Sequence, residues 1–221
     1  NIKYRELRFN PVALSRTQGF SFTDVTSWVC QAVGVAAREL GLQTNLIVQI
    51  GRDEAISVAQ QLADVAIAFR DQGVVGVDLA GDETRFPASA FAAVFRRVID
   101  AGLHVTIHAG EAGDAANVAE AIELLGAERV GHGIRVIDSD DVVALARERG
   151  IVFEVCPTSN IQTGLVDQVS RHPLVRMLAR QLLVTINTDD PSICDTTLTD
   201  EYMVVIQAIG VSPEQIKESI V

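Results

Sequence analysis

Short, strongly apolar segments recur along this chain, separated each time by a longer segment with one apolar stripe. The short ones run Ile2–Phe9, Asn45–Ile50, Val74–Leu79, His104–His108, Arg129–Gly131, Ile151–Val155 and Leu183–Thr188. The spacing predicts helices over Phe22–Leu40, Asp53–Gln72, Pro87–Ala101, Ala115–Leu125, Ser139–Arg149, Pro173–Gln181 and Leu198–Ile209. Gly41 and Gly73 stand where helices stop. Strands this apolar need cover on both faces, so alternation with helices implies a parallel sheet of the α/β class. Seven βα units are one short of a (β/α)8 TIM barrel. A doubly wound sheet is the alternative, but no Gly-rich phosphate loop follows the first strand. The barrel is the expected fold, with residues 1–221 as a single domain.

Composition narrows the partners. At 48% hydrophobic and 21% charged residues the chain is globular, not disordered. Lys and Arg total 18 against 29 Asp and Glu, a formal charge of −11. That argues against nucleic acid polymers and anionic membranes, both of which select basic faces. Apolar runs of about five residues fall far short of the roughly 20 that span a bilayer. Asn1-Ile2-Lys3-Tyr4 leads straight into an alternating strand, and no secretory leader is expected. Cys30, Cys156 and Cys194 show no paired spacing, which fits a reducing cytoplasm. A small-molecule partner is expected.

Reactive side chains gather just after the strands. Asp78, Gly81, Asp82 and Glu83 follow the third; His108, Gly110 and Glu111 the fourth; Gly131-His132-Gly133 the fifth. Cys156-Pro157-Thr158-Ser159-Asn160 follows the sixth and Thr188-Asp189-Asp190-Pro191 the seventh. In a barrel these ends form one mouth.

Each residue has a plainer reading. His108 is a metal ligand or a satisfied core histidine. His104 is four residues away, about 13 Å along a strand, too far to share an ion, and is expected to be structural. His172, before Pro173, is expected at the surface or at a helix N-terminus. Asp189 and Asp190 would repel one another unless a cation sits beside them; otherwise they form a solvated turn. Glu111 can fold back over the site through Gly110 and act as an acid, or sit in a helix first turn. His132, between two glycines, is a base, a group orienting a metal-bound hydroxide, or a turn residue.

Taken together, Val77-Asp78-Leu79-Ala80-Gly81-Asp82-Glu83, His108-Ala109-Gly110-Glu111, Gly131-His132-Gly133, Cys156–Asn160 with Thr163-Gly164, and Asn187–Pro191 resemble the adenosine deaminase family, in order and over essentially the whole chain. The resemblance implies hydrolytic deamination of adenosine, with 2'-deoxyadenosine, to inosine and ammonia in purine salvage, using one zinc ion. It implies His108 and Asp189 as zinc ligands, Glu111 as proton donor to purine N1, and His132 as the residue assisting the attacking water. It implies Gly81 and Asp190 as purine contacts, Asp190 at N7. Zinc chemistry of this kind brings water toward a pKa of about 7, and protonating N1 makes C6 more electrophilic. Zinc deaminases with an H-x-E…P-C-x-x-C signature are excluded, because Cys156-Pro157 lacks that spacing. Thr158 looks more like the nucleoside-specific members than the adenine-specific ones, which tend to carry Leu there.

One family motif has no counterpart. The family's first strand carries H-x-H-x-D-G, whose histidines complete the zinc site, and no two of the four histidines here lie one residue apart. Two further ligands are expected from a segment not in this chain, and the chain alone is expected to be inactive. Rival readings are an adenine-type or other one-metal amidohydrolase and a non-catalytic purine-binding fragment. A two-metal site with a bridging lysine is disfavoured, since Lys3 and Lys217 are the only lysines and neither ends a strand suited to it.

Overall fold

The computed structural model describes residues 2–219. Seven strands alternate with helices: β1 (Tyr4–Phe9), β2 (Gln43–Gly51), β3 (Val74–Ala80), β4 (His104–Ala109), β5 (Arg129–His132), β6 (Val152–Val155) and β7 (Leu183–Ile186). Their order in the sheet is the order in the chain, as in a (β/α)8 barrel and unlike a doubly wound fold, and β1–β2, β2–β3, β5–β6 and β6–β7 pair in parallel. The α/β fold, with seven of the eight barrel units, is as the sequence predicts.

The helices are α1 (Pro11–Gln18), α2 (Phe22–Leu40), α3 (Ile56–Ala68), α4 (Ala92–Asp100), α5 (Ala115–Leu125), α6 (Asp140–Glu148), α7 (Pro157–Gln162), α8 (Leu174–Ala179), α9 (Pro191–Cys194), α10 (Leu198–Met203) and α11 (Pro213–Ser219). Their ends follow local chemistry. The Ser21 hydroxyl accepts from the Asp24 amide at the start of α2, and Gly41, left-handed at φ 63°, closes it. The Thr197 and Asp200 side chains make a reciprocal capping box on α10.

Several boundaries differ from the sequence reading. α1, capped by Asn10, lies between the first strand and the helix from Phe22, where no element was expected. The helix expected over Asp53–Gln72 is α3 plus a 3-10 turn, Arg70–Gln72, and the one over Pro87–Ala101 is a 3-10 turn, Ala88–Phe91, leading into α4. Leu198–Ile209 divides into α10 and a π-helical stretch, Val204–Ile209. The Cys156–Asn160 cluster is largely helical, because Pro157 takes the first helical position. α11 lies beyond the helix expected over Leu198–Ile209, and residues 220–221 lie outside the described residues.

The chain divides into two compact units, one running to Thr106 with Leu124–Gly126, the other comprising Ile107–Glu123 and the chain from Ala127 onward. In the first, α3 packs on β2 and β3, burying Leu62, Ala63 and Ala66 with Leu46, Val48, Val77 and Leu79. Each large side chain so buried contributes roughly 1.5–3 kcal/mol. Asp78, expected at a strand end, lies inside β3 and is fully buried. Arg8 is 3.4 Å from its Oδ2 and the Gln49 amide donates to the same oxygen at 3.3 Å, so its role is structural. Arg8 also donates to the Thr106 hydroxyl at 3.1 Å.

The second unit buries Ile107, Val118, Val130, Phe153, Val155, Val184, Ile186 and Met177. Parallel register pairs Gly131 with Glu154 and Val155 with Ile186. The residues that follow β5, β6 and β7 therefore emerge at one end of the sheet. Among the described residues no helix is long and apolar enough to cross a membrane.

Candidate active site

His108 is the fifth residue of β4 and half-buried. Gly110, at φ 62°, then turns the chain. A Cβ there would fall 2.4 Å from Val118 Cγ2, so only glycine fits without displacement. The Arg135 amide donates to the Gly110 carbonyl at 2.9 Å and pins the turn. The turn carries Glu111 back, with its Oε2 3.7 Å from His132 Nε2.

His132 ends β5 at φ 57°, in the left-handed region that non-glycine residues rarely adopt. Its side chain is 3% exposed. The glycines beside it make room. A Cβ on Gly131 would meet the His108 ring at 3.0 Å, and one on Gly133 (φ 62°) would lie 2.3 Å from Phe153 Cδ1. The His108 and His132 rings therefore tilt toward one another, with centroids 5.2 Å apart at 55°.

Asp189, just beyond β7, is also left-handed, at φ 55°, and its Oδ2 lies 3.7 Å from His132 Nε2. Asp190 precedes α9, where its carbonyl accepts from the Ile193 and Cys194 amides at 3.0 and 2.8 Å, and it is exposed. Burial pushes the Cys194 thiol pKa up, and the negative potential of Asp189 adds to it. His108, Glu111, His132 and Asp189 thus gather around one point, as strand-end convergence demands.

Behind His132 lies a second layer. The Asn160 amide nitrogen is 3.1 Å from His132 Nδ1, and its oxygen is 3.2 Å from His172 Nε2. The Leu174 amide donates to His172 Nδ1 at 3.1 Å. His172 does precede a helix, but the surface position expected for it is wrong: it is 3% exposed, and burial lowers its pKa to about 4. Sequence reasoning gave Asn160 no role beyond its motif and passed over Glu201. That glutamate, fully buried, accepts from the Thr158 amide at 3.1 Å and the Thr196 hydroxyl at 3.0 Å, anchoring the first turn of α7. Its place in an acidic first turn gave it the look of a solvated residue, and no local signal marks its burial.

In the other unit, Gly81 follows β3 at φ 112°, with Arg52 N 3.5 Å from where its Cβ would be. The Arg52 amide donates to the Ala80 carbonyl at 2.8 Å. Asp82 is engaged in a local turn, where the Thr84 hydroxyl foremost holds its pKa down. His104 opens β4 and is exposed.

Ligand atoms of His108, His132 and Asp189 all lie within 4.8 Å of one another. Two imidazoles and a carboxylate are a donor set suited to zinc, and the Gly131 notch holds the His108 ring in place. Residues 1–220 match the family described as Adenosine deaminase. An adenosine deaminase of Vibrio cholerae is 40% identical over 218 residues, 99% of this chain and 65% of that protein. The adenine deaminase of Arthrobacter aurescens superposes with a TM-score of 0.90 at 30% identity, over 97% of this chain and 65% of that one. An amidohydrolase of Burkhoderia ambifaria with bound Zn gives 0.93 at 30% identity, over 100% and 62%. The chain spans about 65% of the length of the curated relatives it matches. It belongs to the adenosine deaminase family.

Proposed function

We propose that the protein carries out zinc-dependent hydrolytic deamination of adenosine, and of 2'-deoxyadenosine, to inosine and ammonia, with purine salvage in the cytoplasm as its setting. The observation that carries this reading is the placing of His132 Nε2 at 3.7 Å from both the Glu111 and Asp189 carboxylates, with His108 alongside. His108 and Asp189 are the proposed zinc ligands from this chain, with two further histidine ligands expected on the family resemblance. The ion, when bound, would lower the pKa of water enough for attack near neutral pH. Glu111 holds the proton that passes to purine N1, which draws electron density from C6 and keeps negative charge off the ring. His132 meets the attacking oxygen beside Glu111, its imidazole edge fixed by the layer behind it. Asp190 contacts the purine at N7, and Gly81, with no side chain to shield its backbone, is a further purine contact on family resemblance.

A second reading has one favouring observation, the likeness to an adenine deaminase. Thr158 argues for nucleosides over the free base. The test is to load the natural protein with zinc and supply adenosine, 2'-deoxyadenosine and adenine in turn, following ultraviolet absorbance and ammonia. Both nucleosides are expected to turn over in preference to adenine. Glu111→Gln is expected to lower kcat by roughly 10²–10⁴-fold with zinc content unchanged. Faster turnover of adenine would favour the second reading. Purine binding without zinc or ammonia would make the protein a binding module and overturn both.

A further inference from the structure

The layer behind His132 fixes more than its orientation. Of the groups in that layer, the Leu174 amide has an unambiguous role, because a backbone N–H can only donate. It donates to His172 Nδ1, so that nitrogen carries a lone pair. A neutral imidazole has one N–H, and the proton of His172 must therefore sit on Nε2. Nε2 faces the Asn160 carboxamide at 3.2 Å, and the group that accepts there is Oδ1. The carboxamide cannot present its oxygen twice. Its NH2 consequently points at His132 Nδ1, 3.1 Å away, and requires a lone pair there. The remaining nitrogen of neutral His132, Nε2, then carries the hydrogen.

We infer that His172 and Asn160 are positioning residues that hold the proton of His132 on Nε2, so that His132 turns an N–H toward the Glu111 and Asp189 carboxylates, each 3.7 Å away. Reversing the carboxamide would set two donors against each other at His172 and two acceptors at His132 unless both imidazole protons moved, and the Leu174 amide blocks that move. All three side chains are at least 97% buried, so water cannot relieve a mismatch, and an unmade bond there leaves a desolvated polar group. Burial also keeps His172 neutral at any pH well above its value of about 4, and a doubly protonated ring could not accept from Leu174. Of the three side chains with ligand atoms near one another, His108 and Asp189 are left to face a cation, while His132 presents an N–H and no lone pair. The consequence for rate rests on the proposed deaminase reading; the proton position does not.

Nitrogen-15 NMR of the histidine-labelled, zinc-loaded protein reads the proton position directly, with resonances assigned by His132→Gln and His172→Gln. Pyrrole-type Nε2 and pyridine-type Nδ1 shifts are expected for both residues. A pyrrole-type Nδ1 on His132 overturns the inference. Asn160→Asp puts an acceptor against His132 Nδ1 at nearly constant shape, and Nδ1 is expected to gain a proton; an unchanged shift also overturns it. Should that variant not fold, the unaltered protein still decides. His172→Phe is expected to mix the two His132 tautomers and lower kcat roughly 10- to 100-fold with KM little changed. His172→Gln, whose amide can still donate to Asn160, is expected to restore a single tautomer; failure to do so counts against the relay. Loss of deaminase activity with the tautomers as expected would sink the functional reading and leave the relay standing.

Discussion

At the scale of single residues, His172 sets a pH dependence as well as a proton position. Unfolded, it takes up a proton near 6.5; folded, not until about 4. Between those values the unfolded chain binds more protons. The contribution is therefore complete above 6.5 and is lost as pH falls toward 4, about 3 kcal/mol in all. Urea denaturation across that range is expected to show the decline in the unaltered protein and a shallower one in His172→Gln. His108, Glu111, His132 and Asp189 were legible in the sequence because strand ends are predictable and reactive residues concentrate there. His172 and Glu201 were not: their burial depends on what packs over them from distant parts of the chain, and nothing within a few residues of either records it.

At the scale of elements, the site depends on turns that tolerate no side chain. Gly133 sits at φ 62° with Phe153 where its Cβ would be. Gly133→Ala combines a left-handed penalty of about 1–2 kcal/mol with an overpacking cost of about 1–3 kcal/mol. A loss of about 2–5 kcal/mol by chemical denaturation is expected. Gly150→Ala serves as the control: it is also left-handed, at φ 63°, but opens onto free space, and only the first of those costs applies. Strand order and most helix positions could be read from apolar periodicity, and α5 falls where expected to the residue. The misses have local causes. α1 was hidden because Pro11 reads as a stop when it is in fact a first helical position behind the Asn10 cap. The π-helical stretch Val204–Ile209 has the same apolar composition as the α-helix it continues.

At the scale of the whole molecule, the candidate ligands come from two distant stretches of the second unit, His108 at the end of β4 and Asp189 after β7. An ion joining them would bind the folded chain and not the unfolded one. Zinc at 100 times its dissociation constant would then add about 2.7 kcal/mol. Thermal melting is expected to rise with added zinc, to fall back with chelator, and to lose this response in Asp189→Asn. An equal response in that variant would place the ion elsewhere. Of the four non-glycine residues with left-handed backbone among the described residues, His132 and Asp189 stand in this site. Breeding for heat tolerance alone would push both toward glycine, which sits more easily in that conformation. The protein would gain robustness at the positions where it gave up its chemistry, so at these two residues endurance and catalysis pull against each other.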